Sequence, residues 1–184
     1  MTAATNRGAM LEKLAALETE VARAVAGGGG KYVERHHARG KLLPRERIAL
    51  AVHAYGIAAR SLALTAAYCR ERETFGKPLI ANQVVRHKLV EMHRQVEVAR
   101  TYTHEVARRH VGGEDVIAEA CLAKQTAVAA ALAVCDRAVQ LHGGTGYLHG
   151  TEVERHYRDA RILPIGGGAT EVLTDLASRL LGYS

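Results

Sequence analysis

The first residues that could do chemistry in this 184-residue chain are an arginine and a set of glycines in two short motifs. Arg72 opens the string RETFGKPL, and its planar guanidinium suits a diphosphate. Gly143, Gly144 and Gly146 lie in QLHGGTGY, where the missing side chains let the backbone approach a ligand closely. The same glycines could instead be simple helix terminators. The residue types alone therefore leave nucleotide binding and chain termination both open.

Two further motifs follow near the C-terminal end of the sequence. In IGGGATEV, residues 165–172, glycines precede a predicted helix and would leave its N-terminus open to an anion. In ERHYRDAR, residues 154–161, acids and bases alternate, and we expect Arg155, Arg158, Asp159 and Arg161 to form a structural ion-pair network. The ten histidines show no metal-ligand spacing, so no metal site is predicted.

Glu46, in the string LPRERI, is a carboxylate near the start of the first long predicted helix. A carboxylate there could act as a general base if an apolar site raised its pKa towards neutrality. It could equally be an ordinary acid in the first turn of a helix, where the helix dipole favours a negative charge. The sequence leaves these two interpretations open.

The elements that must position these residues are long helices. Apolar spacing and the placement of glycine and proline predict helices over residues 10–26, 45–73, 82–111, 115–141 and 152–161, and a last one ending near 181. Because short glycine turns join the long helices, we expect them to pack antiparallel. The predicted fold is all-α, an antiparallel four-helix-type bundle with an extra N-terminal helix.

Composition excludes several classes of protein. Alanine and leucine make up much of the 48% apolar content, which favours helices. The net charge is +6, but bases alternate with acids, so no nucleic-acid groove is expected. No membrane span and no signal peptide are predicted. The three cysteines form no CxxC and fit small core residues of a reduced, cytoplasmic protein.

Taken together and in their order along the chain, the four motifs resemble the C-terminal helical domain of FAD-dependent acyl-CoA dehydrogenases, over about residues 44–184. The resemblance implies the fold, an acyl-CoA substrate and FAD as hydride acceptor in α,β-dehydrogenation. It also implies a homo-oligomer, dimer or tetramer, because part of the FAD contact crosses a subunit interface in that family. The cofactor-binding residues that it implies are Arg72, Thr74, Phe75, Gln83, Gln140, Gly143, Gly144, Thr170 and Glu171.

The resemblance also implies how the α-proton is removed, by a glutamate at one of two positions. At the position in the fourth motif this chain has Gly167, so the base there is missing. The other position matches Glu46, as in isovaleryl- and long-chain-type members. Ala169 replaces the family's usual threonine, so one hydroxyl contact to the flavin nucleotide is expected to be lost. The family's N-terminal and middle domains have no counterpart here. We therefore expect weak FAD retention and no turnover without a partner chain that supplies them.

The front of the chain resembles a different family. Residues 11–48, including ARGKLLPRERI, resemble the N-terminus of the carboxyltransferase β subunit of acyl-CoA carboxylases. We place the boundary after residue 43, with a helix and basic linker over 1–43 and the bundle over 44–184. LPRERI fits both families and suggests an in-frame fusion. The alternative function is a non-catalytic helical oligomerisation or interaction module, associated with an acyl-CoA carboxylase.

Overall fold

The computed structural model describes residues 3–26, 29–38 and 42–183, and the chain divides into two compact units, 1–43 and 44–184. The first unit contains α1 (Ala3–Ala26) and α2 (Gly30–Ala38). The predicted N-terminal helix corresponds to α1, which begins seven residues earlier than expected. The sequence pattern did not predict α2. Of the glycines predicted to end α1, residues 27 and 28 lie outside the described residues.

The second unit is built on three long helices. They are α3 (Pro44–Glu71), α4 (Gln83–Val111) and α5 (Ile117–His142). A two-stranded hairpin, β1 (Glu73–Thr74) and β2 (Lys77–Pro78), and a 3-10 turn (Leu79–Ala81) join α3 to α4. The chain ends in α6 (Gly144–Tyr147), α7 (Glu152–Ile162) and α8 (Thr170–Leu180). The prediction of an all-α fold is confirmed, while the hairpin and α6 are additions to it.

Side-chain contacts fix the directions of the long helices. Ser61 meets Cys135, and seven residues later Tyr68 stacks on His142, so α3 and α5 run in the same direction. The short connections make α4 antiparallel to both, and Arg109 near its end pairs with Glu119 near the start of α5. The fourth side of the bundle is formed by α7 and α8, which both pack on α5. Two short helices thus replace the fourth long helix of a regular bundle.

Alanine dominates the core between α3 and α5. Ala51, Ala54 and Ala58 are fully buried on α3, at the three- and four-residue spacing of one helix face. α5 contributes another row of buried alanines, and Cys69, Cys121 and Cys135 are buried free thiols among them. Small side chains let the two helix axes approach closely. The prediction that the cysteines are core residues is therefore confirmed.

Both α3 and α5 contain an 18-residue window with a hydropathy of 1.4, which is long and apolar enough for a membrane span by composition alone. Core helices of a soluble bundle pass the same test, and 56% of the α5 window is buried inside the protein. These two helices also form the most extensive contact in the molecule. Burial inside the protein covers more than half of the α5 window and 33% of the α3 window.

Candidate functional site

The turn between β1 and β2 presents an unusual aromatic side chain. Phe75 has a φ of 53° and the following Gly76 a φ of 77°, which is the left-handed pair of a type I′ hairpin turn. A phenylalanine in this region is strained, whereas glycine or asparagine is not. The Phe75 side chain is also fully exposed to solvent. The turn therefore holds a large apolar group outward at an energetic cost, which is typical of a contact surface.

The other candidate residues of the first motif surround this turn. Arg72 is exposed just after α3, and its carbonyl accepts a 2.7 Å bond from the Leu79 amide that closes the hairpin. Thr74 is half-buried in β1. Gln83 is exposed at the first residue of α4. The hairpin thus brings three polar candidates to one end of the bundle.

Gln140 and the glycines of the second motif lie at that same end, where α5 finishes. Gln140 is exposed, and Gly143 follows α5 with a φ of 60°. A Cβ added at Gly143 or Gly144 would meet no atom within 4 Å, so this backbone is open to a ligand. Gly146 differs, because a Cβ there would lie 2.6 Å from the His142 Cβ and 2.8 Å from the Val139 carbonyl oxygen. Gly146 is therefore a packing residue, whereas the backbone at Gly143 and Gly144 faces open space and its contact with a ligand stays a prediction.

The glycine loop of the fourth motif is held by a buried lysine that the sequence analysis did not single out. The ammonium of Lys124, a residue 1% exposed, donates to the carbonyl oxygens of Gly166 at 2.8 Å and Gly168 at 2.7 Å. Burial, followed by the field of Arg47, lowers the pKa of Lys124. Its signal in the sequence was its place on the apolar stripe of α5, between Cys121 and Val128. A lysine there should have suggested an internal anchor.

The start of α8 is largely committed to contacts within the chain. The Thr170 amide donates to the Pro164 carbonyl at 3.0 Å, and Gln125 donates to the Thr170 carbonyl at 3.3 Å. Ala169 is the N-cap residue and has no side chain with which to cap the helix. Glu171 is exposed in the first turn. Of the two candidates here, only Glu171 presents a side chain freely to solvent.

Glu46 lies in the first turn of α3, as predicted, and is half-buried. The next residue, Arg47, is 6% exposed, and its charge acts on Lys124 of α5. Because Lys124 holds the loop that contains Gly167, the two positions considered for the catalytic base lie in one neighbourhood. The Glu46 carboxylate therefore lies in the part of the bundle that also contains Gly167.

The expected ion-pair network on α7 is wrong in its membership. Within the described residues, the ion pairs of α7 are made by its glutamates, with Glu154 pairing to Arg158 and Glu152 bound through both oxygens by Arg60 of α3. Arg155, Asp159 and Arg161 point to exposed positions on the same helix. Helix spacing would also allow Arg155 to pair with Asp159, four residues on, but the structure pairs Glu152 with Arg60 and Glu154 with Arg158 instead.

A buried histidine stands beside this pair and was also missed. His156 is 7% exposed, and its Nδ1 lies 2.9 Å from the Ser61 hydroxyl. Burial is the main cause that lowers the pKa of His156, against an opposing pull from Glu152. The spacing of Val153, His156 and Ala160 on one face of α7 was the available signal. Among the described residues no group of three or more histidines, cysteines or carboxylates could hold a metal ion.

The candidate site residues, catalytic and cofactor-binding, thus form two groups toward opposite ends of α5. The hairpin end consists of Arg72, Thr74, Phe75, Gln83, Gln140, Gly143 and Gly144. The glycine-loop end consists of Glu46, the loop 165–169, Thr170 and Glu171. Lys124, which binds the loop, and Gln140 are sixteen residues apart on one helix, or about 24 Å.

Comparison with known proteins assigns this fold to a family. The family model described as the acyl-CoA dehydrogenase C-terminal domain matches residues 36–182. The short-chain specific acyl-CoA dehydrogenase of Megasphaera elsdenii is 40% identical over 126 residues, which are 68% of this chain and 33% of that protein. An acyl-CoA dehydrogenase of Bacillus subtilis is 38% identical over 135 residues, covering 73% of this chain and 36% of its own length.

Solved structures agree with the sequence comparison. A Mycobacterium smegmatis structure that carries the acyl-CoA dehydrogenase name superposes with a TM-score of 0.76 at 53% identity, over 77% of this chain and 37% of that one. Butyryl-CoA dehydrogenase from M. elsdenii superposes with a TM-score of 0.72 at 38% identity, over 73% and 35% of the two chains. The present chain spans about a third of the length of the relatives it matches.

Proposed function

We propose that this chain, which belongs to the acyl-CoA dehydrogenase family through that family's C-terminal helical domain, forms the helical part of an FAD-dependent site that dehydrogenates an acyl-CoA thioester. The observation that carries the proposal is the hairpin end, where an exposed arginine, an outward aromatic and open glycine backbone converge on one end of the bundle. A core-packing role alone would not require those residues to face solvent together.

The hairpin end fits a dinucleotide cofactor on three counts. The exposed guanidinium of Arg72 offers a planar fork to a phosphate. Gly143 and Gly144 leave room for the backbone to touch the ligand. Aromatic faces are provided by Phe75, three residues after Arg72, and by the 80% exposed Tyr147, three residues after Gly144. Arg72, Thr74, Phe75, Gln83, Gln140, Gly143 and Gly144 would hold FAD here, with Thr170 and Glu171 holding it at the glycine-loop end.

The separation of the two groups supports an assembly in which copies of the chain share cofactors. About 24 Å of helix lies between them, so each group faces a different part of an extended cofactor or a different copy of it. The exposed Phe75 and Tyr147 give the hairpin end apolar surface to bury. We propose a homo-oligomer, a dimer or a tetramer, of a cytoplasmic protein. Light scattering should give a mass that is a multiple of 19.8 kDa, and a monomer alone would contradict the assembly.

In the proposed reaction Glu46 takes the α-proton of the thioester. FAD, when bound, supplies the acceptor for the β-hydride. Glu46 is placed for this by the first turn of α3, and the side-chain-free Gly167 leaves the neighbouring base position vacant. Its carboxylate becomes a competent base only when substrate and surrounding protein exclude water from it. Lys124, buried close by, holds the backbone of the loop that contains Gly167 through its bonds to Gly166 and Gly168.

A chain that spans a third of its relatives lacks much of the site, and we propose that it turns over only with a chain that supplies the rest. The assay is dye reduction by the chain with added FAD and a panel of short, branched and long acyl-CoAs. No turnover is expected alone. Turnover that disappears in Glu46→Gln but survives in Asp136→Asn, an exposed carboxylate on α5, would overturn the inactivity and confirm the base. Turnover that survives Glu46→Gln would place the base elsewhere.

Cofactor binding has its own test, independent of turnover. Flavin fluorescence is titrated with the chain, with Arg72→Gln and with Arg70→Gln, an exposed arginine in the last turn of α3 that belongs to neither group. We expect weak binding by the chain, a further loss in Arg72→Gln, and no change in Arg70→Gln. Equal loss in both variants would reduce the effect to general positive charge.

The front segment has a separate proposal. The dehydrogenase match begins at residue 36 and so overlaps residues 11–48, the segment that resembles a carboxyltransferase β subunit. We propose that residues 1–43 dock on an acyl-CoA carboxylase subunit, which is the interaction-module alternative for this chain. Pulldown with purified carboxylase subunits tests it. Capture by the full chain and not by a chain lacking residues 1–43 is the expected result.

A further inference from the structure

α1 carries an exposed apolar stripe with the period of a coiled coil. Met10, Leu14, Leu17 and Val21 are 61%, 47%, 59% and 52% exposed. Their spacing of four, three and four residues places them at successive d and a positions of a heptad. A heptad stripe of this kind is the seam by which one helix pairs with another. The pattern therefore indicates pairing with a second helix.

The charges that flank the stripe select its partner and direction. In this heptad Lys13 takes a g position and Glu18 the e position of the next heptad, and both side chains are exposed. In a parallel pair of identical helices, g of one chain faces the following e of the other, so Lys13 meets Glu18 of the second copy on both sides. In an antiparallel pair g positions face g positions and e positions face e positions, so Lys13 and Glu18 lie on different sides of the seam. The contact between Lys13 and Glu18 is therefore made only in a parallel, in-register pair.

We infer that α1 is an interaction surface for a second copy of this chain, and that it forms a parallel two-stranded coiled coil through Met10, Leu14, Leu17 and Val21. The seam is two heptads long, which is short for an independent coiled coil. We therefore expect the coiled coil to form within an oligomer that other contacts already hold together, or at raised protein concentration. Exposed Leu11 lies at an e position beside the seam and widens its apolar contact.

The test is disulfide trapping in the full chain. Met10→Cys puts a thiol at a d position, where parallel in-register helices bring the two copies together. Antiparallel helices centred on the stripe would place residue 10 of one chain beside residue 21 of the other, about 16 Å away along the axis. The matched control is Thr19→Cys, at the outer f position of the same helix. The native Cys69, Cys121 and Cys135 are buried and do not compete.

Under mild oxidation we expect a covalent dimer from Met10→Cys at least tenfold faster than from Thr19→Cys. Equal rates, or trapping only in a mixture of Met10→Cys and Val21→Cys chains, would overturn the parallel pair. A charge test sharpens the result. Lys13→Glu in the Met10→Cys background should slow trapping several-fold, and adding Glu18→Lys should restore it, because the swapped pair is again complementary. Failure of the double variant to recover would contradict the assigned register. Light scattering of a Phe75→Asn chain reports separately on the interface proposed for the hairpin end.

Discussion

The two ends of α5 differ in how their candidate site residues are held. At the glycine-loop end, Lys124 and Gln125 bind the loop and the start of α8 from inside the protein. At the hairpin end, Phe75 stands in a strained conformation and fully in solvent. The first end is preorganised by its own chain. The second leaves its candidate contacts in solvent.

The comparison also separates glycines that look alike in the sequence. Gly168 and Gly146 are packing glycines, since a Cβ at Gly168 would lie 2.9 Å from a Leu173 methyl. Gly143 and Gly144 face open space. One glycine motif can therefore contain a packing residue and a residue that faces open space two positions apart.

The largest expected effect follows from that contrast. Gly146→Ala forces a methyl against the His142 Cβ and the Val139 backbone, neither of which can yield cheaply, and should cost about 3 kcal/mol or more in the free energy of unfolding. Gly144→Ala, its matched control, should change stability by less than about 1 kcal/mol. Urea unfolding measures both. Equal losses would show that the second motif is purely structural.

Removal of the internal anchor should have the next largest effect. Lys124→Met keeps the length of the side chain but leaves the carbonyl oxygens of Gly166 and Gly168 without their donor. We expect a loss of about 2–4 kcal/mol, since each unpaired buried group costs about 1–3 kcal/mol. Gln125→Ala, which removes the longer bonds to the Thr170 carbonyl and the Thr174 hydroxyl, should cost about 1 kcal/mol. A Lys124→Met chain as stable as the parent would mean that burial of the charge offsets the bonds it makes.

At the hairpin end a substitution should stabilise the chain while weakening its contacts. Phe75→Asn places a residue that tolerates the left-handed region at a φ of 53°. Stability should rise by about 1 kcal/mol, and both the oligomeric mass and FAD affinity should fall. Phe75→Leu is the control that keeps strain and an apolar group. If Phe75→Asn lowers stability instead, the side chain packs on its own bundle, and the contrast between the ends fails.

Between the two ends, His156 should make stability depend on pH. Its pKa is lowered from 6.5 by burial, so below about pH 6.5 the unfolded chain binds more protons than the folded one. Stability should therefore fall as the pH drops from about 6.5 until the lowered pKa is passed. His156→Asn keeps a polar atom near Ser61 but does not titrate, and its unfolding free energy should lose this part of the slope. Identical slopes in the two proteins would assign the pH dependence to other groups.

Much of this architecture could be predicted from the sequence, because helix signals are local. The boundaries of α3, α4, α5 and α7 follow from Pro44, from glycines after each helix and from apolar spacing, and the structure has them within about two residues. What escaped prediction depends on contacts between distant residues. Lys124, Arg47 and His156 are polar residues on apolar stripes, and the sequence does not show which carbonyl or hydroxyl on another helix satisfies each of them.

The candidate site divides along the same line. Its residues could be named from four motifs, and the placement of Glu46 in the first helical turn was predicted correctly. Their separation into two distant groups could not be seen, because it depends on which ends of α3, α4 and α5 lie together. The distinction between Gly144 and Gly146 depends on atoms of the preceding helix turn, and the type I′ conformation at Phe75 would be expected for Asn-Gly rather than Phe-Gly.

The smallest expected effect returns to the glycine-loop end, at the residue that departs from the family pattern. Ala169 precedes α8 with the extended backbone of an N-cap residue but caps nothing. A serine there can accept a bond from an amide of the first turn, so Ala169→Ser should raise the free energy of unfolding by about 0.5–1 kcal/mol. Ala177→Ser, inside α8 at a buried position, is the control and should destabilise the chain. If Ala169→Ser strengthens flavin binding without changing stability, the missing hydroxyl serves the cofactor. If Ala169→Ser changes stability and not flavin binding, residue 169 contributes to the folding of the glycine-loop end and not to a cofactor contact.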